Sequence, residues 1–361
     1  MIEKRIYKVG GCVRDSLLGI KYTDIDYVAV GYSEDDFKHL EKVGKDFPVY
    51  LNEKKEEIAL ARRERKEEVG YLGFSTSTNN VTIQEDLKRR DLTINSIAYD
   101  EIDEKYIDPY GGIYDIKNKI LRHTSLAFIE DPLRVLRLAR FQSKFPQFSI
   151  DISTKKLVYK MKNELKFLQK DRVYKELKKV FQLKSLELFF RTLKDLKVLE
   201  ELFPNIYTLV KNGNFESTLA ILKKITLESE LLNYAVLYMN CNNKDIDIKI
   251  PVKIEKKVIC LVNNKNILQN IKYMKIDDIV LFFESYKKNK ILFEEQIRLY
   301  KICNTKKNIN TEKLYIVFNK ISNYSPLVWI NNQENIPNGK DIKEHIHKVN
   351  IEIISYNLLY V

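Results

Sequence analysis

The sequence is poor in the features that mark secreted, zinc-binding or membrane-spanning proteins. Its four cysteines, Cys12, Cys241, Cys260 and Cys303, lie far apart in a chain of 361 residues. There is no C-x-x-C pair and no cysteine–histidine spacing suited to zinc, so we expect reduced thiols and no zinc site. The chain opens without an apolar signal core and has no run of about 18 apolar residues. We therefore expect a cytoplasmic protein without a membrane partner.

Positive charge, in contrast, is abundant. Lysine and arginine number 62 against 50 aspartates and glutamates, a net charge of +12. The basic residues are concentrated between Lys155 and Lys184, where only Glu164, Asp171 and Glu176 oppose them. Such a run is either a solvated helical surface or an electrostatic track for a polyanion such as RNA.

Two short motifs near the start of the chain carry the strongest chemical signal. Gly10 and Gly11 form a turn leading into a helix, and glycines let backbone N–H groups approach a phosphate. Arg14 follows where a guanidinium can bind a triphosphate. Asp24 and Asp26 are placed in a strand, so their side chains project to one face and can hold two divalent ions about 3.5–4 Å apart. Each motif alone also fits a plain turn or a solvated strand edge.

In combination, these motifs resemble a known enzyme family. Gly-Gly-x-Val-Arg-Asp-x-Leu-Leu-Gly, from Gly10 to Gly19, precedes Asp-x-Asp. This order is similar to the class II nucleotidyltransferases, the bacterial tRNA CCA-adding enzymes and poly(A) polymerases. The resemblance implies an α+β fold, with a DNA polymerase beta-like nucleotidyltransferase head followed by an all-helical neck, body and tail. It also implies that Asp24 and Asp26 are catalytic and bind two Mg²⁺ ions. Glu57 is a candidate third ligand, although an exposed edge glutamate fits it equally well.

The next stretch predicts two strands and then a loop. Residues 47–51 and 57–62 have the composition of short strands. Residues 64–85 lose this pattern and contain two glycines, which predicts a mobile loop rather than a regular element. In CCA-adding enzymes a flexible loop here reorients the site between C and A addition, and its presence argues against an enzyme that stops after CC. An ordinary surface connection also fits.

A second motif, Arg-Arg-Asp-x-Thr-x-Asn, ends at Asn95. Arg90 offers paired donors to a phosphate, and Asp91 and Asn95 share a face if this segment is helical. Such a pair can bind the ribose 2′-hydroxyl, and the family resemblance implies nucleotide binding by all three. Asp91 also fits a helix cap, and the two roles are compatible. Asp108 and the glycines after it predict a turn that closes the head.

A third motif lies between Glu130 and Phe141. It predicts a helix with Asp131 near its N-cap and with Arg134, Arg137 and Arg140 along one flank. These like charges repel unless anions are near, although a solvated basic face also fits. The motif resembles the family's Glu-Asp-x-x-Arg-x-x-Arg-x-x-Arg-Phe. That implies that Asp131 and Arg134 pair with the base of cytosine or adenine, and that Arg137 and Arg140 bind the triphosphate.

The remainder of the chain is predicted to be helical. Arg172 and Glu176, four residues apart, resemble the family's last motif and are expected to brace the neck. A helix pair over 185–204 is expected to end at Pro204, with helices continuing to about residue 300 around a polar turn at 240–249. The expected domains are a head (1–122), a neck with the base-recognition helix (123–200), a body (201–270) and a tail (271–361). No His-Asp dipeptide occurs, so we expect no appended phosphohydrolase domain.

The function implied is template-independent addition of C, C and A to the 3′ end of tRNA. The tRNA 3′-hydroxyl attacks the α-phosphate of CTP twice and then that of ATP, and pyrophosphate leaves. The expected partners are Mg²⁺, CTP, ATP and the tRNA acceptor arm, with no protein partner implied. Three alternatives remain: a poly(A) polymerase, an enzyme that adds only the terminal A to CC-ended tRNA, and a non-catalytic RNA-binding protein.

Overall fold

The computed structural model describes residues 2–44, 48–66, 74–225, 227, 229–243, 245–304 and 309–359. The chain divides into two compact units, Met1–Pro204 and Asn205–Val361. The finer division into head, neck, body and tail stays a prediction.

A mixed sheet forms the centre of the first unit. The strands are β1 (Arg5–Val9), β2 (Asp26–Val30), β3 (Glu41–Val43), β4 (Val49–Leu51), β5 (Glu57–Leu60), β6 (Arg63–Lys66), β7 (Phe74–Ser77), β8 (Ala98–Asp100), β9 (Lys105–Ile107), β10 (Ile120–Leu121) and β11 (Ser149–Ile150). In the described residues seven of these form one sheet in the order β3-β4-β5-β2-β1-β8-β9. Its neighbouring strands are antiparallel, except for the parallel pair β2 and β5.

Alternation along β2 explains why both faces of the sheet are covered. Val28 and Val30 pack into one apolar cluster with Leu87, while Ala29 packs into the opposite cluster with Phe37. Because side chains alternate along a strand, Asp26 lies on the face of Val28 and Val30. The sheet therefore fixes the direction in which the acidic start of β2 points.

Helices surround this sheet and complete the first unit. They are α1 (Gly11–Leu17), α2 (Ile83–Lys88), α3 (Gly112–Lys117), α4 (Leu133–Lys144), α5 (Ile152–Lys160), α6 (Lys170–Val180), α7 (Glu187–Asp195) and α8 (Leu199–Leu202). Short 3₁₀ turns cover Glu34–Phe37, Thr93–Asn95, Leu126–Glu130 and Lys162–Phe167. Helix α4 packs against both α6 and α7. Its apolar side, including Val135, Leu136 and Leu138, is fully buried, which leaves its arginines on the other flank.

The loop prediction for residues 64–85 is wrong for most of the described part of the segment, which contains two strands and the start of a helix. Strands β6 and β7 pair antiparallel, with Arg63 opposite Ser77. Helix α2 then begins at a capping box, because Thr82 accepts from the Glu85 backbone N–H while the Glu85 carboxylate accepts from Thr82. Residues 67–73, where the loop was also predicted, lie outside the described residues.

The turn after Asp108 is confirmed as a structural element. The Asp108 carboxylate accepts from the backbone N–H groups of Gly112 at 2.7 Å and Ile113 at 2.8 Å, which starts α3. Gly112 lies against the turn that bears Asn95. A Cβ at Gly112 would stand 2.2 Å from the Thr93 carbonyl oxygen.

The regular elements described in the second unit are all helical, which confirms the α+β prediction. They are α9 (Pro204–Lys211), α10 (Phe215–Lys224), α11 (Glu230–Tyr238), α12 (Val252–Asn263), α13 (Ile267–Asn270), α14 (Ile276–Ser285), α15 (Lys290–Cys303), α16 (Thr311–Asn323), α17 (Leu327–Asn331) and α18 (Gly339–Ile354), with a 3₁₀ turn Ile271–Tyr273 and a π-helical turn Ser355–Leu359. Pro204 starts α9 rather than only ending the preceding pair, because proline suits the first helical position. Phe293 stacks on Phe318 at 4.4 Å in an aromatic core. None of the helices described is long and apolar enough to cross a membrane.

Candidate active site

The glycine turn brings a carboxylate and a guanidinium to the end of β1. Gly10 has φ +73° and ψ −127°, a backbone conformation that favours glycine. A Cβ here would stand 3.2 Å from Arg90 Nη1 and 3.6 Å from Asp26 Oδ2. The first and second motifs therefore meet at one corner, which we call the carboxylate corner and define by Gly10, Asp24, Asp26 and Arg90.

The two aspartates occupy different backbone environments, which corrects the prediction that both lie in the strand. Asp26 is the first residue of β2, and Asp24 precedes the strand and is exposed. The strand starts at Asp26 because its pairing partners are the last residue of β1, Val9, and the first residue of β5, Glu57. Asp24 Oδ1 accepts a 3.1 Å hydrogen bond from Thr23.

The Asp26 carboxylate lies in an environment that disfavours its negative charge. Burial raises the pKa of its carboxyl group, and the negative charge of Asp24 raises it further, while Arg90 acts in the opposite direction. Within the described residues the Asp26 carboxylate makes no hydrogen bond or ion pair. The corner therefore holds two acidic groups that repel each other.

Glu57 lies on the same face as Asp26, because the two residues are directly opposite in the parallel β2–β5 pair. Its side chain is exposed. In the part of the chain that the structure describes, no three acidic, histidine or cysteine side chains gather into a group that could hold a metal ion. A metal-binding role for Glu57 stays a prediction.

Arg14 turns inward, where the sequence predicts a triphosphate contact. Its Nε donates to Asp15 Oδ1 at 2.7 Å and its Nη1 to Asn95 Oδ1 at 2.6 Å. The guanidinium carbon lies 5.3 Å from the Phe141 ring centre, and the residue is buried. Burial acts to raise the pKa of Asp15, but Arg14 and Lys144 lower it overall. Nucleotide binding by Arg14 and Gly11 stays a prediction.

The contact between Asp91 and Asn95 follows the sequence prediction, although the backbone is a 3₁₀ turn rather than an α-helix. Asn95 Nδ2 donates to Asp91 Oδ1 at 2.9 Å, and the Leu92 N–H donates to the same oxygen at 2.8 Å. Arg137 Nε donates to Asp91 Oδ2 at 2.7 Å. Burial acts to raise the pKa of Asp91, but Arg137, Asn95 and Leu92 hold it far below its usual range.

Asp86 was missed as a site residue. Its fully buried carboxylate accepts from Arg89 Nη2 at 2.7 Å and from Arg90 Nη2 at 3.1 Å, so it orients both arginines of the second motif. The sequence spacing could have predicted this role, because Asp86 precedes Arg89 and Arg90 by three and four residues, and residues at these separations are neighbours on a helix.

The arginines on the flank of α4 bind acceptors within the protein. Arg137 pairs with Asp91, and Arg140 Nε donates to Glu176 Oε2 on α6 at 2.8 Å. Burial acts to raise the pKa of Glu176, but Arg140 and Lys179 lower it overall. Binding of the triphosphate by Arg137 and Arg140 stays a prediction.

At the start of α4, Asp131 and Arg134 already form hydrogen bonds within the protein. Asp131 Oδ1 accepts from the Leu133 N–H at 3.1 Å, which confirms its place near the N-cap. Its carboxylate pairs with Arg172 of α6, at 3.1 and 2.9 Å. Arg134 instead donates to the carbonyl oxygens of Ala127 and Arg89, each at 2.6 Å. The contacts of Arg172 and Glu176 tie α6 to α4, as the bracing role predicts.

The basic run contains both paired and unpaired lysines. Glu201 pairs with Lys162 at 3.3 Å and with Lys166 at 3.2 Å. Another group of lysines lines a surface groove of about 390 Å³, along with Tyr159 and Asp195. One of them, Lys155, also lines an adjoining groove of about 280 Å³. The members of this group are Lys155, Lys156, Lys160 and Lys197, whose side-chain ammonium groups form no ion pair or hydrogen bond with any described residue. We call these four residues the lysine rim.

A glycine turn beside two acidic residues, one at the start of a strand and one just before it, is the arrangement expected of a nucleotidyltransferase. Comparison with family models agrees. The Poly A polymerase head domain matches residues 6–122, and a region described as a probable RNA and SrmB-binding site of polymerase A matches residues 147–209.

Comparison with individual proteins defines the family more closely. The CCA-adding enzyme of Francisella tularensis subsp. novicida is 35% identical over an alignment that covers 98% of this chain and 99% of that protein. The CCA-adding enzyme of Buchnera aphidicola subsp. Schizaphis graminum is 46% identical over 223 residues, and the chain spans 54% of its length. The chain belongs to the family of CCA-adding enzymes.

Solved structures share the fold. An apo CCA-adding enzyme has a TM-score of 0.67 at 22% identity, over 97% of this chain and 87% of that one. The Thermotoga maritima CCA-adding enzyme complexed with tRNA has a TM-score of 0.61 at 22% identity, with the same coverage.

Proposed function

We propose that this protein adds C, C and A to the 3′ end of tRNA in the cytoplasm, from CTP and ATP, with release of pyrophosphate. The carboxylate corner carries the proposal, because it brings together the carboxylates and the phosphate-binding arginine that the transfer requires. Full-length similarity to a CCA-adding enzyme supports the same reaction. Similar folds have been solved with tRNA, with ATP and with CTP.

The residues at the corner suit magnesium. Magnesium prefers oxygen ligands, and Asp24 and Asp26 supply carboxylate oxygens. The raised pKa of Asp26 indicates excess negative charge, which a cation would relieve. Asp24 and Asp26 would hold two Mg²⁺ ions, which when bound stabilise the charge that develops during phosphoryl transfer.

The protein's own groups do the remaining work. Gly10 leaves room for a phosphate beside Arg90, whose direction Asp86 fixes. The Asp91–Asn95 turn presents polar atoms to the ribose. Asp131 and Arg134 distinguish cytosine and adenine from uracil and guanine, because the exocyclic amine of C and A can donate to a carboxylate whereas a keto group cannot.

The lysine rim supports RNA binding by the same unit. Four lysines that form no ion pair with a described carboxylate offer positive charge to a phosphate backbone, and an exposed tyrosine lies among them. Binding to such a surface releases counterions, so affinity falls as salt rises.

The decisive experiment supplies a tRNA that lacks its CCA end. With CTP alone we expect a product two nucleotides longer, and with CTP and ATP together a product three nucleotides longer that does not grow further. EDTA should stop both reactions. A long A-tail with ATP alone would indicate a poly(A) polymerase, and activity restricted to CC-ended tRNA would indicate an A-adding enzyme.

A further inference from the structure

Two arginines, Arg134 and Arg172, lie near the start of α4, and either could be the charged partner of Asp131. Arg134 is 7% exposed, and two of its nitrogens donate to backbone carbonyl oxygens, one at the first residue of the second motif and one in the 3₁₀ turn before α4. These bonds anchor Arg134 to the backbone around Ala127 and Arg89. In this structure Arg134 therefore donates to the backbone rather than to Asp131, and a different arginine forms the ion pair with Asp131.

That partner is Arg172. Its Nη1 lies 3.1 Å from Asp131 Oδ1 and its Nη2 lies 2.9 Å from Asp131 Oδ2. Two parallel N–H donors fix the plane of a carboxylate as well as its position. The side chains are 19% and 17% exposed, so the pair is largely shielded yet still reachable from outside.

The pair leaves acceptor capacity on Asp131. An ionised carboxylate has about four acceptor sites. The Leu133 N–H and Arg172 Nη1 use Oδ1, whereas Arg172 Nη2 is the donor found at Oδ2. Oδ2 can accept a further hydrogen bond, such as one from the amine of cytosine or adenine.

From this geometry we infer that Arg172 is a positioning residue for base selection. It holds the Asp131 carboxylate in one plane, so that Oδ2 meets the exocyclic amine of an incoming CTP or ATP. The inference rests on the proposed function and gives Arg172 a role beyond bracing α6 against α4.

The test uses Arg172→Lys and Arg172→Gln in the full-length protein. Lysine keeps the charge without the paired planar donors, and glutamine keeps a planar donor without the charge. We measure kcat and KM for CTP and for UTP on tRNA lacking CCA. The preference for CTP, as a ratio of kcat/KM values, should fall roughly tenfold in both variants, mainly through a higher KM for CTP. Because the ratio compares two nucleotides on one preparation, partial unfolding does not affect it.

Glu176→Gln is the matched control, since it weakens the other ion pair between α4 and α6. It should lower the melting temperature and leave the CTP/UTP ratio unchanged. An unchanged ratio in both Arg172 variants would overturn the positioning role, as would an equal loss of selectivity in Glu176→Gln. Failure of the wild-type protein to add C, C and A would instead overturn the proposed function.

Discussion

The carboxylate corner and the flank of α4 handle charge in opposite ways. At the corner, Asp24 and Asp26 repel each other, and Asp26 makes no ion pair with any described residue. On α4, Arg137 and Arg140 each bind a buried carboxylate. Burial lowers the pKa of Arg140, while Glu176 acts in the opposite direction. The corner therefore carries negative charge that no described residue balances, whereas these arginines of α4 already have carboxylate partners within the protein.

This difference separates the parts of the site that need ligands from the parts that give it rigidity. A corner with unbalanced negative charge gains free energy when cations bind. A helix whose charges are already paired gains less from a ligand, but its start, which we propose reads the base, is held in a fixed position. The variants below test this distinction.

The largest effect on activity is expected at the corner. Asp26→Asn should lower nucleotide incorporation by about a thousandfold or more, because it removes an oxygen that we propose binds a metal ion, an interaction worth several kcal/mol. The same change should leave the metal-free melting temperature unchanged or raise it, since the fold disfavours the ionised form of Asp26. Gel-based extension of tRNA and thermal unfolding measure the two effects. An active Asp26→Asn enzyme would remove the corner from the mechanism.

Gly10→Ala should lower activity next, by about tenfold to a hundredfold. The variant forces a side chain into a strained backbone conformation that costs about 1–3 kcal/mol, and its Cβ presses on Arg90. Gly19→Ala is the control, because Gly19 also has a positive φ (+67°) but has nothing within 4 Å of the added Cβ. Kinetics with CTP should separate the variants. Equal losses of activity would show that backbone strain alone accounts for the effect.

Asp91→Asn should lower the stability of the fold. It leaves Arg137 without its charged partner, and breaking a buried ion pair costs about 3 kcal/mol. Urea unfolding measures the change. Asp103→Asn removes an exposed carboxylate that pairs with Lys105, so a loss under about 1 kcal/mol is expected. Similar losses in both would mean that α4 is not rigidified by its pairs.

Mild acid should have the smallest effect. The pKa values of Asp15, Asp91 and Glu176 lie below their ordinary values of 3.8 to 4.5. The unfolded chain therefore takes up protons first, and the stability these groups provide is present above about pH 4.5 and lost as the pH falls through their lowered values. The melting temperature should decline below about pH 4.5, and less steeply in Asp91→Asn. A constant melting temperature down to pH 3 would contradict the pairing.

The sequence predicts those parts of the site that depend on local spacing. The contact of Asp91 with Asn95 follows from a separation of four residues, and the α+β class follows from motif order. The partners of Arg14 and Asp131 could not be predicted, because Asn95 and Arg172 lie 81 and 41 residues away. Such pairs depend on how elements pack, which short motifs do not encode.

The β6–β7 hairpin shows a second limit. Charged and small polar residues are weak strand formers, so the composition of residues 63–77 favours a loop. The two strands nevertheless pair in an antiparallel register, which the local sequence does not predict. Tertiary context therefore overrides propensity in this segment.

The close approach of Gly112 to Thr93 limits which residues can replace this glycine. A methyl group there would collide with a main-chain oxygen, so any larger residue would displace the segment that carries Asn95. Efforts to redirect this enzyme toward new nucleotides have room to vary the base-facing side chains. They have almost none at Gly112.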